Sequence, residues 1–337
     1  MEYRNLGRSG LKVSKLCLGA MMFGGPTSEA DSHEIIAEAR DFGVNFIDTA
    51  DAYHNGNSER VVGRGIAAHR DYWVLATKLG NPMDAGDPNA RGLSRKWVLQ
   101  ACEESLERLD TDYIDIYYLH KEDHSTPLEE TVNAMADLVH AGMIRHFGVS
   151  NHRSWRVAEI CHLCDAAGID RPVVSQPYYN AMNRMPETEH LAACDYYGLG
   201  VVPYSPLARG VLSGKYKPGA KPAEGSRAAR ADTRMMQTEW REESLVIAEK
   251  IKKHAEAKGA TIIDLAVGWV LNNGLITGTI AGPRTMEQWK AYAKALEYEF
   301  TEEDEALINE LVPEGHPSTP GYNDPAYPLE GRVALTG

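Results

Sequence analysis

The sequence is short of the features that would send it to a membrane, a secretory route or a nucleic acid. No apolar run approaches the roughly 20 residues that a membrane-spanning helix needs, so no span is expected. The opening MEYRNLGRSG lacks the apolar core of a secretory leader, and none is expected. Cysteine is scarce, with five in 337 residues: Cys17, Cys102, Cys161, Cys164 and Cys194. An odd, scattered set does not make a disulfide framework and fits the reducing cytoplasm. Cys161 and Cys164 form a CxxC, but no second CxxC or His pair lies nearby, so the pair reads as a helix face rather than a zinc or redox site. His120 and His124 have metal spacing only on a helix, and His120 closes a strand, so no metal is expected. Basic residues are outnumbered 35 to 48, giving a net charge of −13. That argues against nonspecific binding to nucleic acid or an anionic membrane, but not against a phosphorylated small ligand, for which local charge decides.

What is present is alternation. Short runs rich in β-formers occur at 14–18, 44–47, 72–77, 113–119, 144–149, 173–176, 200–203 and 276–280. Segments with apolar residues three or four apart lie between them. The clearest predicts a helix over 93–110, with Ser94 as its N-cap and Val98, Ala101, Cys102, Leu106 and Leu109 on one stripe. A second, over 127–140, opens on Glu129 and Glu130 and stops before Gly142. Gly7 and Ser9-Gly10 mark a turn between two short strands, so an N-terminal hairpin is expected.

Strands alternating with helices pair in parallel through right-handed crossovers. A doubly wound dinucleotide fold would carry GxGxxG after its first strand; residues 18–24, LGAMMFG, do not match. Eight units in this length predict an α/β architecture of the (β/α)8 TIM-barrel type, one domain over 1–337. A long loop is expected at 208–240, mobile and basic (KPGAKPAEGSRAARADTR), and an extended tail at 313–337. The segment GVLSGK at 210–215 imitates a P-loop but is one residue short and is followed by Tyr216.

In a barrel enzyme the strand ends build the site. Here they carry Asp48 with Tyr53 five residues on, Lys78, His120, Ser150-Asn151, Gln176, Tyr204-Ser205 and Gly282-Pro283-Arg284. Each has an ordinary reading by itself: a solvated lysine, a structural histidine, a packing tyrosine. Together they have a chemistry. A phenol titrates near pH 10. A neighbouring ammonium lowers that value, a carboxylate holds the ammonium, and an imidazole orients a carbonyl. Asp48, Tyr53, Lys78 and His120 are therefore the parts of a carbonyl-reducing general acid. Asp51 is expected to shape the loop, and Glu59 to order it from the next helix.

With those residues in view, the sequence resembles the aldo-keto reductase superfamily over nearly the whole chain. The resemblance rests on FIDTADAY at 46–53 with NSE at 57–59, ATK at 76–78, YIDIYYLH at 113–120 and GMIRHFGVSN at 142–151. QPYYN at 176–180 and YSPLARGVLSGKY at 204–216 are similar to the bacterial aryl-alcohol-dehydrogenase-like and potassium-channel-β-like branches. The resemblance implies the barrel, the Asp48–Tyr53–Lys78–His120 tetrad, and NADPH/NADP+ extended across its mouth. It places Ser150, Asn151 and Gln176 on the nicotinamide carboxamide and Tyr204 on the ring. Ser205, Pro206, Leu207, Ala208, Arg209, Gly210 and Lys215 fall along the pyrophosphate. Gly19, Ala20, Met21 and Gly282 complete the cofactor set, with Arg284 at the adenosine 2′-phosphate and Gln288 beside the adenosine. Two positions depart from the pattern: Pro283 stands where Ser is common, and Tyr292 where many members have Asn.

The substrate implied is an aldehyde or ketone, including bulky ones. Its pocket is expected from Met21, Met22, Phe23, His54, Lys121, His152, Arg153 and Tyr322, with Tyr327 and Pro328 on a closing tail. Two other functions belong to the same scaffold: an NADPH-binding regulatory subunit of channel-β type, and a sugar or polyol dehydrogenase working in the oxidative direction.

Overall fold

A computed structural model of the protein describes residues 1–329; the rest of the expected 313–337 tail lies outside the described residues. Strands β1 (Tyr3–Asn5) and β2 (Lys12–Ser14) form the expected antiparallel hairpin. Eight further strands follow: β3 (Leu16–Gly19), β4 (Phe46–Asp48), β5 (Val74–Leu79), β6 (Ile114–Leu119), β7 (Ile144–Ser150), β8 (Val174–Gln176), β9 (Gly200–Val201) and β10 (Thr279–Ala281). They pair in parallel in the order β10-β3-β4-β5-β6-β7-β8-β9. The two ends of that order are also stitched together. Thr277 N–H donates to Val201 O at 2.8 Å, and Ile280 N–H donates to Pro203 O at 3.0 Å. The sheet curls into the (β/α)8 barrel.

Helices cover the outside: α1 (Glu29–Asp41), α2 (Asn57–Ile66), α3 (Arg95–Leu109), α4 (Leu128–His140), α5 (Ser154–Ala167) and α6 (His190–Tyr197). They continue as α7 (Thr233–Thr238), α8 (Glu242–Ala257), α9 (Ile262–Asn272), α10 (Met286–Lys294) and α11 (Glu302–Leu311). Ser94 caps α3 by accepting from Trp97 N–H, as its position predicts. Gly142 follows α4 at φ +72°, a conformation that costs a glycine little. Cys161 and Cys164 are buried in α5 and carry free thiols.

Side chains on a strand alternate between its faces, and that period places the chemistry. Residues one position out of phase, such as Leu18, Ile47, Leu75 and Leu119, join the outer core under the helices. Cys17, Phe46, Val74, Ala76, Ile116, Tyr118 and Val174 form a separate inner core. The hairpin residues Leu6 and Val13 belong to the same inner cluster. Continuing each inward series by two residues gives Asp48 after Phe46, Lys78 after Ala76, His120 after Tyr118 and Gln176 after Val174. The inner face is thus apolar at depth and polar at the carboxyl ends of the strands. Gly148 makes room for this layer, since a Cβ there would lie 2.8 Å from the Tyr118 ring.

The long loop expected over 208–240 is interrupted at both ends by short helical pieces. The segment contains a short helical stretch, Ala208–Ser213, and α7, and Met235 and Leu212 are buried. Apolar anchors at intervals hold a sequence whose composition reads as loop. No described helix is long and apolar enough to cross a membrane.

Candidate active site

Lys78 and Asp48 form a buried ion pair, Nζ to Oδ2 at 2.5 Å. The ammonium also donates to Thr49 O at 2.6 Å and to the Tyr53 hydroxyl at 3.3 Å. Asp48 Oδ1 accepts from Gln176 Nε2 at 2.9 Å. All three of the lysine's protons and both carboxylate oxygens thus have partners, as a buried charge requires. The Tyr53 ring meets His120 edge to face, with centroids 5.9 Å apart.

Burial is the largest influence on every group here. For Lys78 the Asp48 carboxylate and the Tyr53 hydroxyl together outweigh it and hold the ammonium above its ordinary range. For Asp48 burial raises the carboxyl, with Lys78 and Gln176 pulling it back down. The pair stays charged because each member supplies the other's counter-charge. For Tyr53 the expected lowering by Lys78 is present, but burial exceeds it and the phenol lies above its usual value. That is a correction to the sequence expectation, and it leaves a protonated hydroxyl at neutral pH. His120 is pushed well below the usual imidazole range by burial, then by Lys78 and Lys121, so its ring is neutral.

Two acids beneath the loop are not in this set. Asp51 is fully buried, accepts from Ala52 N–H at 2.6 Å and has no partner for Oδ2 among the described residues. Burial, then Glu59, lifts its carboxyl to about 8. Glu59 accepts from Thr77 and Arg108, each at 2.6 Å, and ties α2 to β5 and α3.

Asp48, Tyr53 and His120 open into a cavity of about 600 Å³ that runs from them to Arg284, Gln288 and Tyr292. The walls include Gly19, Met21, Met22, Ser150, Asn151, Gln176 and Tyr204. Ser205, Leu207, Arg209, Gly210, Lys215 and Gly282 line it further along. Tyr204 donates to Asn151 Oδ1 at 2.9 Å and stacks on Tyr178, centroids 5.3 Å apart. Asn151, Ser205 and Arg209 sit at φ +55°, +60° and +52°, left-handed backbone of the kind that concentrates at ligand sites.

Several expected residues face elsewhere. Phe23 is corrected: it is fully buried in the outer core, because the turn before α1 folds it under. Ala20, Pro206 and Ala208 are buried beside the wall rather than on it, Ala20 giving its N–H to Asp48 O. His152 is also corrected; buried, it is bonded through Nδ1 to Ser150 O at 2.8 Å. His54 turns to Met21 O at 3.0 Å. Lys121 is not among the cavity-lining residues. Arg153 pairs with Glu122 and donates to Pro328 O at 2.7 Å. Tyr322 donates to Gln237 O at 2.6 Å, anchoring the tail from outside. Tyr327 does reach the cavity.

Sequence reading also misses residues. Arg227, Arg230 and Arg234 line the cavity from the 208–240 segment; the signal available was the basic run itself. Arg234 pairs with Asp324 at 2.9 and 2.5 Å, joining that segment to the tail. Asn81, three residues past Lys78, bonds His120.

A profile of the aldo/keto reductase family matches residues 15–313. The chain belongs to the aldo-keto reductase family. It is similar to a probable voltage-gated potassium channel subunit beta of Arabidopsis thaliana, 36% identical over 304 residues, covering 88% of this chain and 92% of the relative. It is equally similar, 36% over 332 residues, to the uncharacterized oxidoreductase YrpG of Bacillus subtilis (strain 168), covering 95% and 98%. Aldo-keto reductase AMT2 of Alternaria alternata is 32% identical over 351 residues, covering 93% of each chain. The protein is accordingly an oxidoreductase of a family that works with a nicotinamide cofactor.

The cavity fits such a cofactor. Six cationic side chains line it, Arg209, Lys215, Arg227, Arg230, Arg234 and Arg284, in a chain whose net charge is −13. Asp48 and Glu287 are the acids among the described lining residues. Arg209 Nε is buried with no hydrogen-bond partner among the described residues. Such a donor wants an acceptor, and a dinucleotide's phosphates are acceptors.

Proposed function

We propose that the protein reduces aldehydes or ketones to alcohols with NADPH, Tyr53 serving as the general acid. The observation that carries this reading is the convergence of a protonated phenol, a buried ammonium–carboxylate pair and a neutral imidazole on one end of a cation-lined cavity. The bound dihydronicotinamide would supply hydride to the carbonyl carbon. Tyr53 gives its proton to the carbonyl oxygen as charge develops there. Lys78, 3.3 Å from the phenol oxygen, stabilises the phenolate that remains until solvent returns the proton. Asp48 holds Lys78, and Gln176 holds Asp48. Burial makes each interaction stronger than it would be in water.

Residues would hold the cofactor as follows. Ser150, Asn151 and Gln176 take the carboxamide, and Tyr204 the ring face. Arg209 and Lys215, with Arg227 and Arg230, meet the pyrophosphate. Arg284 meets the 2′-phosphate, which favours NADPH over NADH, since a guanidinium fork matches phosphate bidentately. Gln288 accepts from the Arg284 N–H at 2.8 Å and steadies that turn. Met21, Met22 and Tyr327 shape a broad substrate end. The one-domain reading of 1–337 and a cytoplasmic home belong to the same proposal; five buried free thiols support the latter.

The relatives named as channel β-subunits favour a second reading, a cofactor-binding regulatory subunit. Initial rates of NADPH oxidation across a panel of aldehydes and ketones separate the two. Turnover with members of the panel supports the reductase. Tight NADPH binding without turnover on any member would replace it with the regulatory role.

A further inference from the structure

Resting on the reductase reading, we infer that Asn81 is a positioning residue that sets the tautomer of His120, so that the imidazole offers its N–H, rather than a lone pair, to the carbonyl oxygen. His120 follows β6 and its ring lines the cavity next to Tyr53. Its backbone is pinned on both sides. The His120 N–H donates to Leu79 O at 2.9 Å, and its carbonyl accepts from Asn151 Nδ2 at 3.0 Å. The ring itself has one hydrogen-bond partner among the described residues, Asn81 Nδ2, 2.9 Å from Nδ1.

The chemistry of that contact is restrictive. An amide nitrogen donates and cannot accept. With Asn81 donating, Nδ1 must present its lone pair, and the single proton of a neutral imidazole stands on Nε2. Protonation at Nδ1 would set two donors against each other, so the same contact disfavours the imidazolium. The charges around the ring act in the same direction. Lys78 from β5 and Lys121 from the following loop both disfavour a positive ring, as does burial. The carboxylate that might offset them, Asp48, is committed to Lys78 and Gln176. A neutral ring with its Nε2 proton toward the cavity is a hydrogen-bond donor that neither gains nor loses charge during the reaction. Tyr53 is then left as the proton source.

Nothing in the loop carrying Asn81 makes this position a packing necessity: the residue is half-buried and follows the end of β5 by two positions. Asn81→Asp keeps shape and reverses the contact, because a carboxylate accepts from Nδ1–H. It should move the proton to Nδ1 and raise the imidazole's affinity for a second one. Asn81→Ala removes the contact without replacing it.

The test is the ¹⁵N spectrum of imidazole-labelled protein, with His120 assigned by its loss in His120→Gln. The expected result is a neutral Nε2–H ring in the wild type between pH 6 and 8. In Asn81→Asp the ring should be an Nδ1–H or doubly protonated form, and in Asn81→Ala a mixture of tautomers. Alongside, kcat should fall about 10²-fold in Asn81→Asp, at the low end of what a positioned proton-bearing group contributes. Its pH profile should gain an ionisation near neutrality, while the dissociation constant for NADPH stays unchanged. A wild-type ring protonated on Nδ1, or a tautomer that does not change in both variants, overturns the inference. The spectrum is read without turnover. Absence of carbonyl reduction would remove the functional reading and leave the tautomer assignment standing or falling by itself.

Discussion

The two ends of the cavity are built in different ways. At the catalytic end Asp48, Lys78 and Gln176 come from strands, share one inward face, and satisfy one another with bonds of 2.5 to 2.9 Å. At the far end Arg284 follows β10, Arg227 and Arg230 belong to the connection before α8, and Gln288 lies on α10. There the side chains are mainly cations in a cavity wall, with fewer bonds to one another. One end is complete in the protein alone. The other is complementary to something of opposite charge. Substitutions at the first should disturb the fold and the chemistry together, and substitutions at the second should disturb binding and leave the fold intact.

The sharpest way to break that contrast is Lys78→Met. It leaves the buried Asp48 carboxylate without its counter-charge, a loss of about 3–5 kcal/mol for a buried pair, and removes the cation beside Tyr53. Denaturant unfolding should show the destabilisation, and turnover should vanish. Arg284→Ala makes the opposite case. The KM for NADPH should rise about 10- to 100-fold, the range for a lost charged hydrogen bond, with little change for NADH and none in the unfolding midpoint. Equal effects on both cofactors would move the 2′-phosphate contact elsewhere.

The smallest expected effect sharpens the comparison from below the catalytic loop. Asp51 is a buried acid with one bonded oxygen, lifted by burial to about 8. In the unfolded chain it titrates near 4. Its folded value is raised, so the stability it contributes is full below about pH 4 and is lost as pH climbs toward about 8. Asp51→Asn should flatten that decline. Above pH 8 the variant should melt higher than wild type, and the two curves should converge at acid pH. A wild-type melting temperature that does not fall between pH 5 and 8 relative to the variant would remove the buried-acid account.

The same division explains what could be read from the amino-acid order. Strands and their alternation are local, so the eight units, the Ser94 cap and the hairpin were legible, and so were residues at strand ends. Asp48, Lys78, His120 and Gln176 follow from parity alone once the strands are placed. The 208–240 segment was not legible, because its course depends on Met235 and Leu212 finding the core and on Asp324, 90 residues away, pairing with Arg234. Phe23 and His152 were placed in the pocket for their type, and the chain folds them inward. Asn81 carried no local signal; only the return of His120 from β6 gives it a partner. The direction of the Tyr53 shift also needed the structure, since sequence shows the ammonium but not how much water is excluded.

The most direct test of the central claim, that Tyr53 protonates the carbonyl while the rest of the site binds, is a single-turnover measurement on Tyr53→Phe. Protein saturated with NADPH is mixed with a carbonyl substrate accepted by the wild type, and nicotinamide oxidation is followed by absorbance. NADPH affinity is measured by fluorescence on the same preparation. The account predicts unchanged affinity and an oxidation step slowed by about 10²- to 10⁴-fold, the contribution of a positioned general acid. Oxidation at the wild-type rate with NADPH bound would contradict it.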